Sequence, residues 1–112
     1  MEEDCPLDTV CFHAQQCAEK YIKALLTSMQ IEFHRTHDLL ELAWLLPEEI
    51  GLRSEVASLS ELNRYAVEAR YPSDWEPITR DDAEAALATA GRIRDLLRAH
   101  LPPGVVEPGV QA

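Results

Sequence analysis

The sequence predicts an all-α domain, an up-and-down antiparallel helical bundle, from three observations. Apolar residues recur at spacings of three and four through three long stretches of the 112-residue chain. No stretch alternates apolar and polar residues as a half-buried strand does. Proline falls before, between or after those stretches and does not interrupt them.

The elements follow in order. The first helix runs from about Asp8 to Met29, with Val10, Ala14, Cys17, Tyr21, Leu25 and Met29 on one face and Asp8 as N-cap. A short second helix opens on Thr36, carries Leu39, Leu40, Trp44 and Leu45 as its apolar face, and stops before Pro47. The third spans about Leu52 to Arg70, with Leu52, Val56, Leu59, Leu62 and Ala66 in register, and Pro72 ends it. The last opens on Thr79, with Asp82 three residues on as a capping-box variant, and runs to about Leu101. Its buried face is Ala83, Leu87, Ala90, Ile93 and Leu97. Gly91 lies inside it at a cost of about 1 kcal/mol against alanine, which close approach of another helix, in this chain or a second copy, would offset. Residues 1–101 therefore form one bundle, and the Pro/Gly-rich residues 102–112 a flexible tail.

Composition narrows the function. Ten Lys and Arg against 20 Asp and Glu give a net charge of −10, which disfavours a broad basic surface for nucleic acid. No apolar run approaches the roughly 20 residues of a membrane span, and no secretory leader pattern is present, so a cytoplasmic protein without a membrane partner is expected. Cys5, Cys11 and Cys17 are odd in number and spaced by six, which turns neighbours about 120° apart on a helix. His13 and Cys17 share a face but supply only half a zinc site, so no metal and no cofactor is expected and the cysteines are read as free thiols.

Three places could carry chemistry. On the first helix His13, Gln16 and Lys20 form one polar stripe, and Gln15, Glu19 and Lys23 a second. Either is a solvated face, a polar interface or a ligand-facing stripe. Arg35-Thr36-His37-Asp38 caps the second helix, and a helix N-terminus beside Arg35 could also receive a phosphate. Arg64, Tyr65, Arg70 and Tyr71 gather at the end of the third helix, where guanidinium forks suit phosphate and tyrosines can stack on bases or seal the bundle. Arg94 and His100 are explained by the dipole at the end of the last helix. No nucleophile triad, P-loop or glycine-rich phosphate turn occurs.

The chain resembles the HEPN (higher eukaryotes and prokaryotes nucleotide-binding) domain family. The resemblance rests on Asp8-Thr9-Val10-Cys11-Phe12-His13-Ala14-Gln15-Gln16-Cys17-Ala18-Glu19-Lys20-Tyr21, on Thr36-His37-Asp38-Leu39, and on Arg64-Tyr65 through Arg70-Tyr71-Pro72. It covers roughly residues 8–100 and implies a helical bundle that dimerises, often beside a small nucleotidyltransferase; other members cleave RNA as toxins or bind nucleotides. Nuclease members are similar to one another in an Arg-x4–6-His motif before the last helix. Here Arg64 matches the arginine, but the histidine position falls on about Ala69, flanked by Arg70 and Tyr71. Metal-independent RNA cleavage needs a group that shuttles a proton near neutral pH, which arginine does not do.

The resemblance also implies a helix before Asp8 that this chain lacks, so an apolar groove is expected, with Cys11 and Ile22 unusually exposed. The expected function is a non-catalytic, homodimeric HEPN partner of a small nucleotidyltransferase, holding a nucleotide or RNA phosphate through His13, Gln16, Lys20, Arg64, Arg70 and Tyr71. An RNA-cleaving toxin using Arg64 and a purely structural oligomerisation domain are the alternatives.

Overall fold

The computed structural model describes residues 7–66 and 78–101. These contain α1 (Leu7–Ser28), α2 (Leu39–Leu45), two 3₁₀ turns (Glu48–Ile50 and Leu52–Glu55), α3 (Val56–Asn63) and α4 (Arg80–Arg98), and no strand. The expected Pro/Gly-rich tail lies outside the described residues.

The principal packing is α1 against α4, with α2 and α3 closing the core. Arg92 on α4 donates to Glu55 and Ser58 near the start of α3, while Asp82 acts electrostatically on Arg64 and Tyr65 at its end, so α3 and α4 are antiparallel. Tyr65 also senses the Cys11 thiol, and Arg94 senses Cys17 and Tyr21, so α1 and α4 run in the same direction. The alternation is kept because the irregular connection 29–38 turns back along α1, bringing His37 against Glu19. That reversal starts with Gln30, left-handed at φ 60°, whose amide and that of Ile31 bond back to Thr27 and Leu26. This is the hydrogen-bond pattern that closes helix C-termini.

The core face of α1 includes Cys11, Ala18, Ile22, Leu25 and Leu26, all fully or almost fully buried. The groove expected around Cys11 and Ile22 is therefore absent; both have no exposed surface, because α4 lies along one side of α1 and α2 and α3 along the other.

Several expected boundaries shift for local reasons. Asp8 falls on the second residue of α1 rather than on its cap. The cap of α2 is Asp38, whose carboxylate accepts from the amides of Leu40 and Glu41, while Thr36 accepts from the Asp38 amide one turn earlier. The stretch expected as one helix from Leu52 to Arg70 is 3₁₀ through Glu55, because Gly51, at φ 87°, redirects the chain just before it. The α-helix then lasts only to Asn63 and gives way to a turn at Arg64–Ala66. At α4 the capping box forms as expected: Asp82 donates its amide to Thr79 Oγ1 and accepts from the Thr79 amide. This helix ends at Arg98, not Leu101.

Five side chains expected on core faces are exposed instead, Met29, Trp44, Leu45, Val56 and Leu87. Leu87 is 46% exposed while Thr89 is buried, and Trp44 is 56% exposed while Leu42 and Ala43 turn inward. A Cβ at Gly91 would meet only Arg94 Nη2 at 3.8 Å, so no described helix approaches closely enough to require glycine there.

Candidate functional site

The second polar stripe of α1, Gln15 and Glu19 with Lys23, holds the polar centre of the molecule. Gln15 and Glu19 are buried, at the junction of α1, the connection before α2 and, through Asp38, the end of α3. Gln15 Nε2 donates to Glu19 Oε1 and to the His37 carbonyl, both at 3.2 Å. Its own Oε1 accepts from Gln16 Nε2 at 2.7 Å. Glu19 also accepts from Lys23 Nζ at 3.0 Å and meets His37 Nδ1 at 3.0 Å from both carboxylate oxygens. One residue on, Asp38 Oδ1 accepts from Asn63 Nδ2, and Asn63 Oδ1 accepts from the Leu39 amide, both at 2.9 Å. Three segments far apart in sequence are thus joined by two hydrogen-bond clusters that meet at the His37–Asp38 peptide.

Burial pushes the Glu19 carboxyl up, but the hydrogen bonds from Lys23, His37 and Gln15 outweigh it and hold the group below its ordinary value. An ionised Glu19 only accepts, so neutral His37 carries its proton on Nδ1. Nε2 is then the basic nitrogen of a ring that is 62% exposed. A buried carboxylate thus fixes the orientation and tautomer of an exposed imidazole. Among the described residues no group of three or more metal-ligating side chains gathers there or elsewhere.

The expected site residues fall into two places. His13 and Lys20 are exposed on the outer face of α1, and Lys20 has no ion-pair partner among the described residues. Gln16 is half-buried and its amide points inward to Gln15 and Glu19. Among the described residues Arg64 pairs with Glu61, and no hydrogen bond or ion pair joins it to His13, Gln16 or Lys20. Arg70 and Tyr71 lie outside the described residues.

Arg64 is engaged by Glu61, Nη1 to Oε2 at 3.1 Å, and its guanidinium is 5.6 Å from the Tyr65 ring centre. The Glu61 hydrogen bond raises the Arg64 pKa further, and burial raises that of the Tyr65 phenol. Tyr65 lines a cleft of about 280 Å³ between α3 and α4, with Glu61 and Asp82 near one end and Arg92 near the other. Arg94 and His100 belong to the opposite end of α4, about 18 Å and 27 Å along the helix from Asp82.

The family model of the HEPN domain matches residues 1–100. The chain belongs to the HEPN domain family. No curated protein and no solved structure matches it. On this HEPN bundle the sequence blocks around Gln15 and Glu19, His37 and Asp38, and Asn63 and Arg64 meet in space, so the pattern that marks the blocks coincides with the hydrogen-bonded junction. Reading the sequence had placed Gln15, Glu19 and Lys23 as one solvated or interfacial stripe. The signal available was the pairing of a helical Gln-x3-Glu with a His-Asp cap elsewhere, which becomes meaningful only once the connection is known to turn back.

Proposed function

We propose that this HEPN domain is a non-catalytic binding partner of a small nucleotidyltransferase, acting as a cytoplasmic homodimer and able to hold a nucleotide or RNA phosphate. The observation that carries the reading is the state of Arg64. It stands where nuclease members carry their arginine, yet its charge is taken by Glu61 at 3.1 Å and no histidine occurs between His37 and His100. An arginine paired with a carboxylate, and followed by no histidine at the spacing of the nuclease motif, favours binding over cleavage.

For the phosphate, Lys20 and His13 on the outer face of α1 are the supporting groups, since neither is spent on a described acid. For the homodimer, the support is Leu87, half out of the core one turn before Gly91, whose missing side chain no described residue explains. Among the described residues no helix is long and apolar enough to cross a membrane.

Co-expression with the adjacent reading frame tests the partnership. A stable complex with a nucleotidyltransferase is expected, and RNA degradation on expression of this chain alone, abolished by Arg64→Ala, would overturn the non-catalytic reading. Titration calorimetry with ATP and GTP tests the ligand: heat that is lost in Lys20→Ala supports it, and no heat at all removes it. Light scattering that returns a single species of 12.6 kDa removes the dimer.

A further inference from the structure

The HEPN bundle carries a second surface, at the end of α2, that none of the foregoing uses. α2 buries Leu39, Leu42 and Ala43, and its other side presents Trp44, more than half exposed, beside Leu45. An indole left in water on a seven-residue helix is an expensive place for the largest apolar side chain in the chain. It is also held rigidly. The Arg53 guanidinium lies 4.4 Å from the Trp44 ring centre, and its Nη2 donates to the Trp44 and Leu46 carbonyls at 3.3 and 3.5 Å. Arg53 keeps this pose although its Nε is buried without a hydrogen-bond partner. The ring is thus fixed before anything binds, and the ordering cost of using it as an anchor is already met.

The charge around it has one sign. Glu41, Glu48 and Glu49 are exposed within five residues of Trp44, and neither Glu48 nor Glu49 forms an ion pair with a described residue. The cation beside the ring, Arg53, is committed to the indole and the carbonyls, and His34 Nε2 meets Glu41 Oε1 at 2.7 Å. Phosphate-rich RNA and anionic lipid are repelled by such a rim, and so is a second copy of a chain whose net charge is −10.

We propose that Trp44 and Leu45, rimmed by Glu41, Glu48 and Glu49, form a docking surface for a basic amphipathic segment of a protein partner, an apolar side chain seated on the indole and lysines or arginines on the rim. The proposal does not depend on the partner being a nucleotidyltransferase.

The probe is a helical peptide of about 18 residues made of leucine and lysine, fluorescently labelled, titrated into the full chain and read by anisotropy. In a Trp75→Phe background Trp44 is the remaining tryptophan, so its emission reports whether the peptide seats on it. Saturable binding with a blue shift of Trp44 is expected. Trp44→Ala is expected to weaken it about tenfold or more, the scale of a tryptophan hot spot. Glu48→Gln with Glu49→Gln is expected to weaken it severalfold, whereas the same loss of charge on α4, Asp81→Asn with Glu84→Gln, leaves it unchanged. Equal weakening by both pairs means the peptide reads only net charge and overturns the proposal. So does equal binding of a leucine–glutamate peptide, binding of phosphatidylglycerol vesicles that is lost in Trp44→Ala, or a fall in light-scattering mass in Trp44→Ala, which would make this face a contact between copies. Circular dichroism of Trp44→Ala and of Trp44→Phe keeps loss of binding distinct from loss of fold.

Discussion

Replacing Glu19 by alanine removes the acceptor on which four side chains converge, and the cost can be built up contact by contact. A hydrogen bond to a charged group is worth about 1.5–3 kcal/mol when both partners are withdrawn from water. That applies in full only to Gln15, which is buried and would keep the His37 carbonyl as its other acceptor. Lys23 is a quarter exposed and His37 mostly exposed, so their ion pairs contribute about 0.5 kcal/mol each. Lost contact of the Glu19 stem adds roughly 0.8 kcal/mol per buried methylene. The expected total is about 3–4 kcal/mol at pH 7, a fall in Tm of at least 10 °C for a domain of this size. Glu19→Gln, which preserves shape and the capacity to accept, should cost less than half as much. The Glu19 carboxyl is held below its ordinary value, so its stabilisation is present above the unfolded carboxylate pKa, about 4.3, and disappears as pH falls through the folded value. Urea melts followed by circular dichroism at pH 7 and pH 3 should therefore show the gap between wild type and Glu19→Gln closing in acid. A Glu19→Ala variant within 0.5 kcal/mol of wild type at pH 7 refutes the reasoning, as does a Glu19→Gln gap that ignores pH.

Other perturbations separate the remaining contacts. Gly91→Ala should raise thermal stability by about 1 kcal/mol, since a Cβ meets nothing closer than 3.8 Å, and should weaken any homodimer packed there; melting and light scattering on one sample read both. Asn63→Ala leaves the Leu39 amide and Asp38 without their shared partner and should cost about 1–2 kcal/mol in urea melts. Asn63→Asp should cost at least as much at pH 7, because it still accepts from the amide but sets a second carboxylate against Asp38. Burial raises the Cys17 thiol above its ordinary value, with Arg94 opposing, so its alkylation by iodoacetamide at pH 8 should be slower than that of a free cysteine and should quicken in urea.

The helices were legible where the signal is local. Thr79 and Asp82 announce the start of α4, and the four-and-three spacing of α1 picks out Ala14, Tyr21 and Leu25 of its core face, because caps and periodicity act over one or two turns. On the same spacing Val10 and Cys17 are only half-buried and Met29 is exposed. The junction was less legible because it depends on direction. Glu19 reads as one half of an i, i+4 pair with Lys23 until the connection 29–38 turns back and sets His37 on it. Thr36 precedes the apolar run and so reads as the cap, but Asp38 takes that place because one of its carboxylate oxygens accepts from two amides at once. The α3 boundary was missed because Gly51 and the 3₁₀ turn after it preserve the apolar spacing while changing the helix type. Leu87 was misplaced for a different reason: it satisfies the periodicity of α4 yet lies at the edge of the stripe, beyond what α1 covers.

The pairing of α1 with α4 also sets an order of events during synthesis. Ser28 and Arg80 are 52 positions apart, and α1, whose buried face includes Ile22, Leu25 and Leu26, packs chiefly on α4, the last of the described helices. A ribosome that has released α1, α2 and α3 has therefore produced a chain with its largest apolar surface uncovered. Closing the core requires a long loop to be drawn in first, which slows folding relative to a bundle of sequential hairpins. Messages truncated before residue 80 should yield aggregation-prone fragments rather than smaller folded domains, and a nascent chain of this kind gains from a chaperone, or from a partner already present, until α4 arrives.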